Sequence, residues 1–253
     1  MIKKLFSIFA ILLSFSISAN QIDLSSFNYP PFLQPDNQGF VDKLIKGFSK
    51  HSSLDIKVVK FPAKRSINSY KNGTSFYHLG ADDNFSKETL NNTYKITLFD
   101  LNVRLLFLKK NENHLHKDLE KLQNIKIGIL RGSLKEEEFA KKHGFEITSY
   151  IDSENAFNLL LRGRIDFIIF SPLFNSVKDI VDKKNFDKLA YHRKLVHHAE
   201  AAIFINKTSP NAKEVYKTLN KKMTQFLKSK DYQKLLHETF QSDTPEEITK
   251  YTL

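Results

Sequence analysis

Residues 125–170 switch repeatedly between two hydrophobic periods. Ile125 to Leu130 is a short apolar run, followed by the turn Arg131-Gly132-Ser133. From Leu134 to Lys142 the chain is rich in Glu and Lys in a helical pattern, and Gly144 supplies a stop. Phe145 to Tyr150 reads as a second strand. Ser153 to Leu161 reads as a helix with Ala156, Leu159 and Leu160 on one face. After Arg162-Gly163-Arg164, a third strand follows over Ile165 to Phe170. Strands alternating with helices in this way predict parallel βαβ units. In such sheets small ligands sit beyond the carboxyl ends of the strands, where Arg131-Gly132-Ser133 and Ser171-Pro172 fall.

The first half of the chain repeats that scheme without repeating its sequence. Ile22 to Phe27 is a short strand leading into Asn28-Tyr29-Pro30-Pro31-Phe32, where two prolines forbid a helix and force an extended aromatic loop. A helix opens at Gly39-Phe40-Val41-Asp42 and runs to about His51, with Val41, Leu44, Ile45 and Phe48 at helical spacing. Asp55 to Phe61 is a strand, Lys64 to Lys71 a helix stopped by Asn72-Gly73, and Phe76 to Ala81 a strand ending in Asp82-Asp83-Asn84-Phe85. Val103 to Lys109 and His197 to Asn206 read as connecting strands between the halves. Ala212 to Leu227 and Tyr232 to Phe240 read as two closing helices.

The amino terminus adds a compartment. Lys3 and Lys4 precede an apolar run from Leu5 to Phe15, followed by the small residues Ser16, Ser18 and Ala19. That is the pattern of a signal peptide over residues 1–19, cut near Ala19. The run falls short of the roughly 20 residues that span a bilayer. An exported, soluble mature protein is expected, and the absence of cysteine excludes disulfides, a thiol nucleophile and a lipid-modified cysteine. A bacterial periplasm fits these features. The formal charge of +11 is carried by lysines scattered along polar helix faces, without a nucleic-acid motif, so no nucleic-acid partner is expected.

The order of these segments resembles the family 3 periplasmic solute-binding proteins, the type that serves polar amino acid uptake. The matching stretches are Asn28 to Phe32 with Gly39 to Asp42, Ile125 to Ser133, Arg162 to Asp166, and Lys228 to Phe240. The resemblance implies an α/β, two-lobed periplasmic-binding-protein fold of type II. Each lobe is a mostly parallel sheet flanked by helices, and two hinge strands join them. Lobe one would be 20–104 plus 203–253, and lobe two 105–202. The family's ligand arginine follows the third strand of lobe one, where this chain has Asn84 to Asn91 and only Lys87 as a cation. The family's aspartate for the ligand's ammonium follows the last strand of lobe two, where this chain has Ser171. Both charges of the free amino acid site are thus absent at the matching positions.

Candidate ligand residues follow from position and chemistry. Tyr29 offers an aromatic face at the cleft mouth; Phe32 has the simpler alternative of filling lobe one's core. Asp82, Asp83 and Asn84 follow a strand, either receiving a cation or only closing a turn. Arg65, near a helix start, is a candidate anion contact or an exposed residue. Arg131, Gly132 and Ser133 place N–H groups and a hydroxyl at a helix start, a ready anion pocket. Ser171 is a candidate by position. His197 and His198 point to opposite sides of a strand, so they make no paired metal site, and both are read as solvated. No metal or cofactor is expected.

The expected function is capture of a small polar solute between the lobes by a monomeric binding protein, and its delivery to an ABC-type membrane permease. The alternatives are a sensory relative read by a receptor and, on the same scaffold, a cyclohexadienyl-dehydratase-like enzyme. The chain contains no recognisable catalytic set to support the enzyme.

Overall fold

A computed structural model describes residues 21–114, 118–170, 181 and 183–239. Its strands are β1 (Ile22–Ser26), β2 (Ile56–Lys60), β3 (Tyr77–Ala81), β4 (Thr93–Leu108), β5 (Lys126–Leu130), β6 (Glu146–Tyr150), β7 (Phe167–Phe170) and β8 (Leu189–Asn206). The helices are α1 (Phe40–Ser52), α2 (Ala63–Lys71), α3 (Lys87–Asn91), α4 (Leu134–Lys142), α5 (Ser153–Leu161), α6 (Lys183–Phe186), α7 (Ala212–Leu227) and α8 (Lys230–Thr239). The strands join in the order β2-β1-β3-β8-β4-β7-β5-β6. β1 pairs in parallel with β2 and β3, and β5 with β6 and β7. β4 and β8 are antiparallel to each other and to the strands beside them. Each half is therefore a parallel βαβ sheet, and the two long strands link the halves.

Strand alternation explains why both faces of this sheet are apolar. Leu79, Ile127, Ile129, Phe167, Ile169, Ile203 and Ile205 share one core with α1, α7 and α8. Leu130, Ile168, Phe170, Ala202 and Phe204 share the other with residues of α2 and α5. Strands covered on both faces read as near-continuous apolar runs, which is how the sequence presents them.

The connecting strands are longer than expected. β4 has 16 residues and β8 has 18, against predicted spans of Val103–Lys109 and His197–Asn206. Their hidden portions carry Lys95, Thr97, Asp100, Asn102, Arg193 and Lys194, which break the apolar pattern. Those stretches are strand because β4 and β8 satisfy each other's backbone groups from Thr93–Asn206 to Leu108–Leu189. Register shifts near Thr97/Phe99 and at Val103–Leu106 bend the pair between the halves. The predicted helices 134–142 and 153–161 are observed at those limits. The expected leader, Ser171 and Phe240 lie outside the described residues. Among the described residues no helix is long and apolar enough to cross a membrane.

Candidate functional site

The proline loop is built against the start of α1. Phe40 and Val41 donate their N–H groups to the carbonyls of Pro31 and Phe32 at 3.1 and 2.8 Å, satisfying helix-start donors that lack partners within α1. Gly39 makes this approach possible, because a Cβ there would stand 2.3 Å from the Phe32 oxygen. Buried Asp42 accepts from the N–H groups of Gln34 and Gly39 at 2.8 and 3.2 Å and pairs with Lys60 at 2.7 Å. So held, the loop presents Tyr29, whose ring stacks on Phe32 at 5.9 Å and meets Phe170 of the other half at 5.8 Å. Phe32 itself is core, 5% exposed and stacked on Phe99 at 6.0 Å.

Asp82–Asn84 forms a single 3₁₀ turn tied to the long strands. Asp82 accepts from the Glu200 N–H at 2.9 Å and pairs at 3.1 Å with Lys95, which also pairs with Glu200. Asp83 pairs with His197 Nε2 at 3.0 Å. The Asn84 amide donates to the Ala81 carbonyl at 3.1 Å and is buried. Asp82 is therefore a structural tie to β4 and β8, while Asp83 faces the space between the halves.

Across that space stands the start of α4. The Ser133 hydroxyl and the Leu130 N–H, at 2.6 Å, do hold a carboxyl group there, but it is the chain's own Glu136. The predicted anion pocket is thus filled from within. Ser133 is 2% exposed; Arg131 is exposed, and its N–H donates to the Tyr150 carbonyl at 2.9 Å. Gly132 has φ of +103°, and a Cβ on it would lie 3.3 Å from Lys64 Cα in α2. The turn and α2 therefore bring the two halves into contact at this point.

Phe27, Tyr29, Phe32, Asp83, Phe99, Leu101, Leu130, Glu136 and Ile169 are among the walls of a cavity of about 80 Å³ between the halves. No Lys, Arg or His lines it among the described residues. Burial, with a smaller contribution from the charge of Asp83, raises Glu136 to about 8. Burial and then the Glu136 charge raise the hydroxyls of Tyr29 and Tyr150 well above their ordinary value. The site is thus a low-polarity space bounded by acidic groups.

Of the predicted residues, the structure brings Tyr29, Asp83 and Asn84 to the cavity wall. Gly132 lies at the junction of the halves, and Ser133 is buried against Glu136 at the start of α4. Arg65 is exposed, with its guanidinium 5.1 Å from the Phe61 ring centroid, the simpler of its two expected placements. His198 is exposed as expected, whereas His197 is half-buried on Asp83 rather than solvated. Sequence reasoning missed Glu136. The Ser133-x-x-Glu136 spacing, a capping-box signature, was the signal that places it at a helix start.

No protein-family model matches the sequence, and no curated protein does. Solved structures match over nearly the whole fold. The GluR0 ligand-binding core from Nostoc punctiforme, in complex with L-glutamate, is 14% identical over 87% of this chain and 99% of its own, with a TM-score of 0.71. A P235GK mutant of ArgBP from T. maritima is 17% identical over 89% and 97%, at 0.70. A histidine kinase sensor domain with similarity to periplasmic binding proteins is 12% identical over 88% and 96%, at 0.70. At these identities the likeness is one of fold, and the chain has the two-lobed periplasmic-binding-protein fold.

Proposed function

We propose that the protein captures a small solute in the cavity between its lobes and closes on it about β4 and β8. The observation that carries this reading is the cavity itself: Tyr29 and Asp83 from one lobe and Leu130, Glu136 and Ile169 from the other wall it, and Tyr29 touches Phe170 of the second lobe. Lobe one is residues 20–104 plus 203–253 and lobe two 105–202 in this reading. Tyr29, Asp83 and Glu136 are the principal contacts, with Asn84 and Ser133 holding the walls. Ligand contact with both lobes shifts an open–closed equilibrium toward closed, with no covalent step. The chain is exported by its leader and delivers the solute to a membrane permease. A receptor takes the permease's place in the sensory form, and capture of the solute-loaded protein's membrane partner tells the two apart. GluR0, ArgBP and a sensor domain share the fold, which is the support they lend.

A thermal-shift screen of the unfolded and refolded protein tests capture. Solute at about 100 times its Kd adds about 2.7 kcal/mol, which at this size raises Tm by roughly 5–10 °C. A panel of amines, amino acids, organic acids, short peptides and cell-wall fragments that leaves Tm unmoved contradicts the reading.

A further inference from the structure

We propose that the solute held between the lobes is a small organic amine: one ammonium centre on a compact apolar body, with no carboxylate. This rests on the reading of the cavity as a solute site. The walls set the class. Among the described residues, Asp83 from lobe one and Glu136 from lobe two are the carboxyl groups lining it, and the rest is largely aromatic and aliphatic. An anionic solute would stand against both carboxyl groups with no cation from the described walls to receive it. An α-amino acid brings a carboxylate with the same defect. A neutral solute supplies no charge to set against Asp83. An ammonium group supplies three donors and one positive charge between two acidic groups. The Phe27 and Tyr29 rings in the wall add cation–π attraction. The cavity, about 80 Å³, is near half of the roughly 150 Å³ that accommodates benzene in an engineered core, so the apolar body is short.

Binding of a cation is then coupled to loss of a proton. Glu136 is faced by Asp83 of the 3₁₀ turn, Tyr29 of the proline loop and Tyr150 of β6, with Tyr191 of β8 acting on Tyr29. His197 lies on Asp83 and is the nearest titratable base among these contacts. Burial among acidic neighbours keeps Glu136 protonated at neutral pH. An arriving ammonium keeps its own protons and favours the Glu136 carboxylate, so the carboxyl proton passes to the buffer.

Isothermal titration of the refolded protein with ethylammonium, n-propylammonium and n-butylammonium, each against its matched alcohol and carboxylate and against L-norvaline, tests this. At least one amine binds tenfold or more tightly than its matched alcohol and acid and than norvaline. Its heat depends on the buffer's ionisation enthalpy with a slope near one released proton at pH 7, and its affinity rises toward pH 8. Glu136→Gln, which retains an acceptor for the Leu130 N–H, abolishes the proton release and weakens binding tenfold or more without lowering Tm. Tighter binding of an acid, an alcohol or norvaline overturns the amine assignment but leaves solute capture standing. Amine binding without proton release overturns the coupling to Glu136, and no amine binding at all overturns the amine assignment. If the broad thermal screen is also silent, solute capture falls with it.

Discussion

Glu136 and His78 are both buried ionisable side chains, and burial moves their protons in opposite directions. Glu136 rises from 4.5 to about 8, so the folded state holds its proton more tightly than the unfolded chain. Its contribution to stability is whole below about 4.5 and drains away as pH rises to about 8, at about 1.4 kcal/mol per pH unit. His78 lies 0% exposed among Tyr70, Phe85 and Phe204, with the Ser25 hydroxyl 3.2 Å from Nδ1. Burial lowers it to about 3, so its contribution is whole above 6.5 and is lost as pH falls from there toward 3. The two slopes cancel where they overlap. Urea unfolding across pH 3–9 therefore gives a plateau near pH 4.5–6.5, with stability falling on both sides as far as these groups are concerned. Glu136→Gln flattens the upper limb and His78→Phe the lower. If either variant leaves its limb unchanged, the assigned protonation is wrong. Asp42 is a separate case: its loss in Asp42→Ala leaves the Gln34 and Gly39 N–H groups without their acceptor and Lys60 without its counter-charge, and we expect about 3 kcal/mol lower stability in the same titration.

Among the elements, the turn before α4 controls how closely the lobes meet. Gly132→Val places a branched side chain at positive φ and directs its Cβ at the α2 backbone. We expect the lobes to be held apart, with a larger radius of gyration and at least tenfold weaker solute binding. An unchanged scattering profile would show that this turn does not set the contact. The same segment shows what the sequence makes legible. α4 and α5 were readable to their ends because Ser133 and Asp152 precede their first turns and Gly144 and Gly163 follow their last. β4 and β8 were readable only where both faces are buried, since their polar stretches become strand through mutual pairing across 100 or so residues of chain. Tyr29 was found because two prolines expose its loop. Asp82 and Asp83 were indistinguishable in sequence, and the Lys95–Glu200 pair on the long strands is what separates them. Glu136 was hidden in a run of three glutamates, of which the fold buries one.

At the scale of the molecule, the two halves of one eight-stranded sheet are linked by β4 and β8, and in the proposed function these strands are the hinge and the solute is held where the lobes meet. The chain contains no cysteine, so a pair introduced at Asp36 and Asn158 would be labelled uniquely. Both positions are exposed, on opposite walls of a groove between the lobes. The most direct test of the account is the spin-label distance between these two sites, by electron–electron double resonance, in protein stripped by refolding and then supplied with the solute found in the thermal screen. The account predicts a longer, broader distribution in the stripped protein that collapses to one shorter distance with solute. An identical distribution in both states would mean that the lobes do not close on a ligand, and would contradict solute capture by closure.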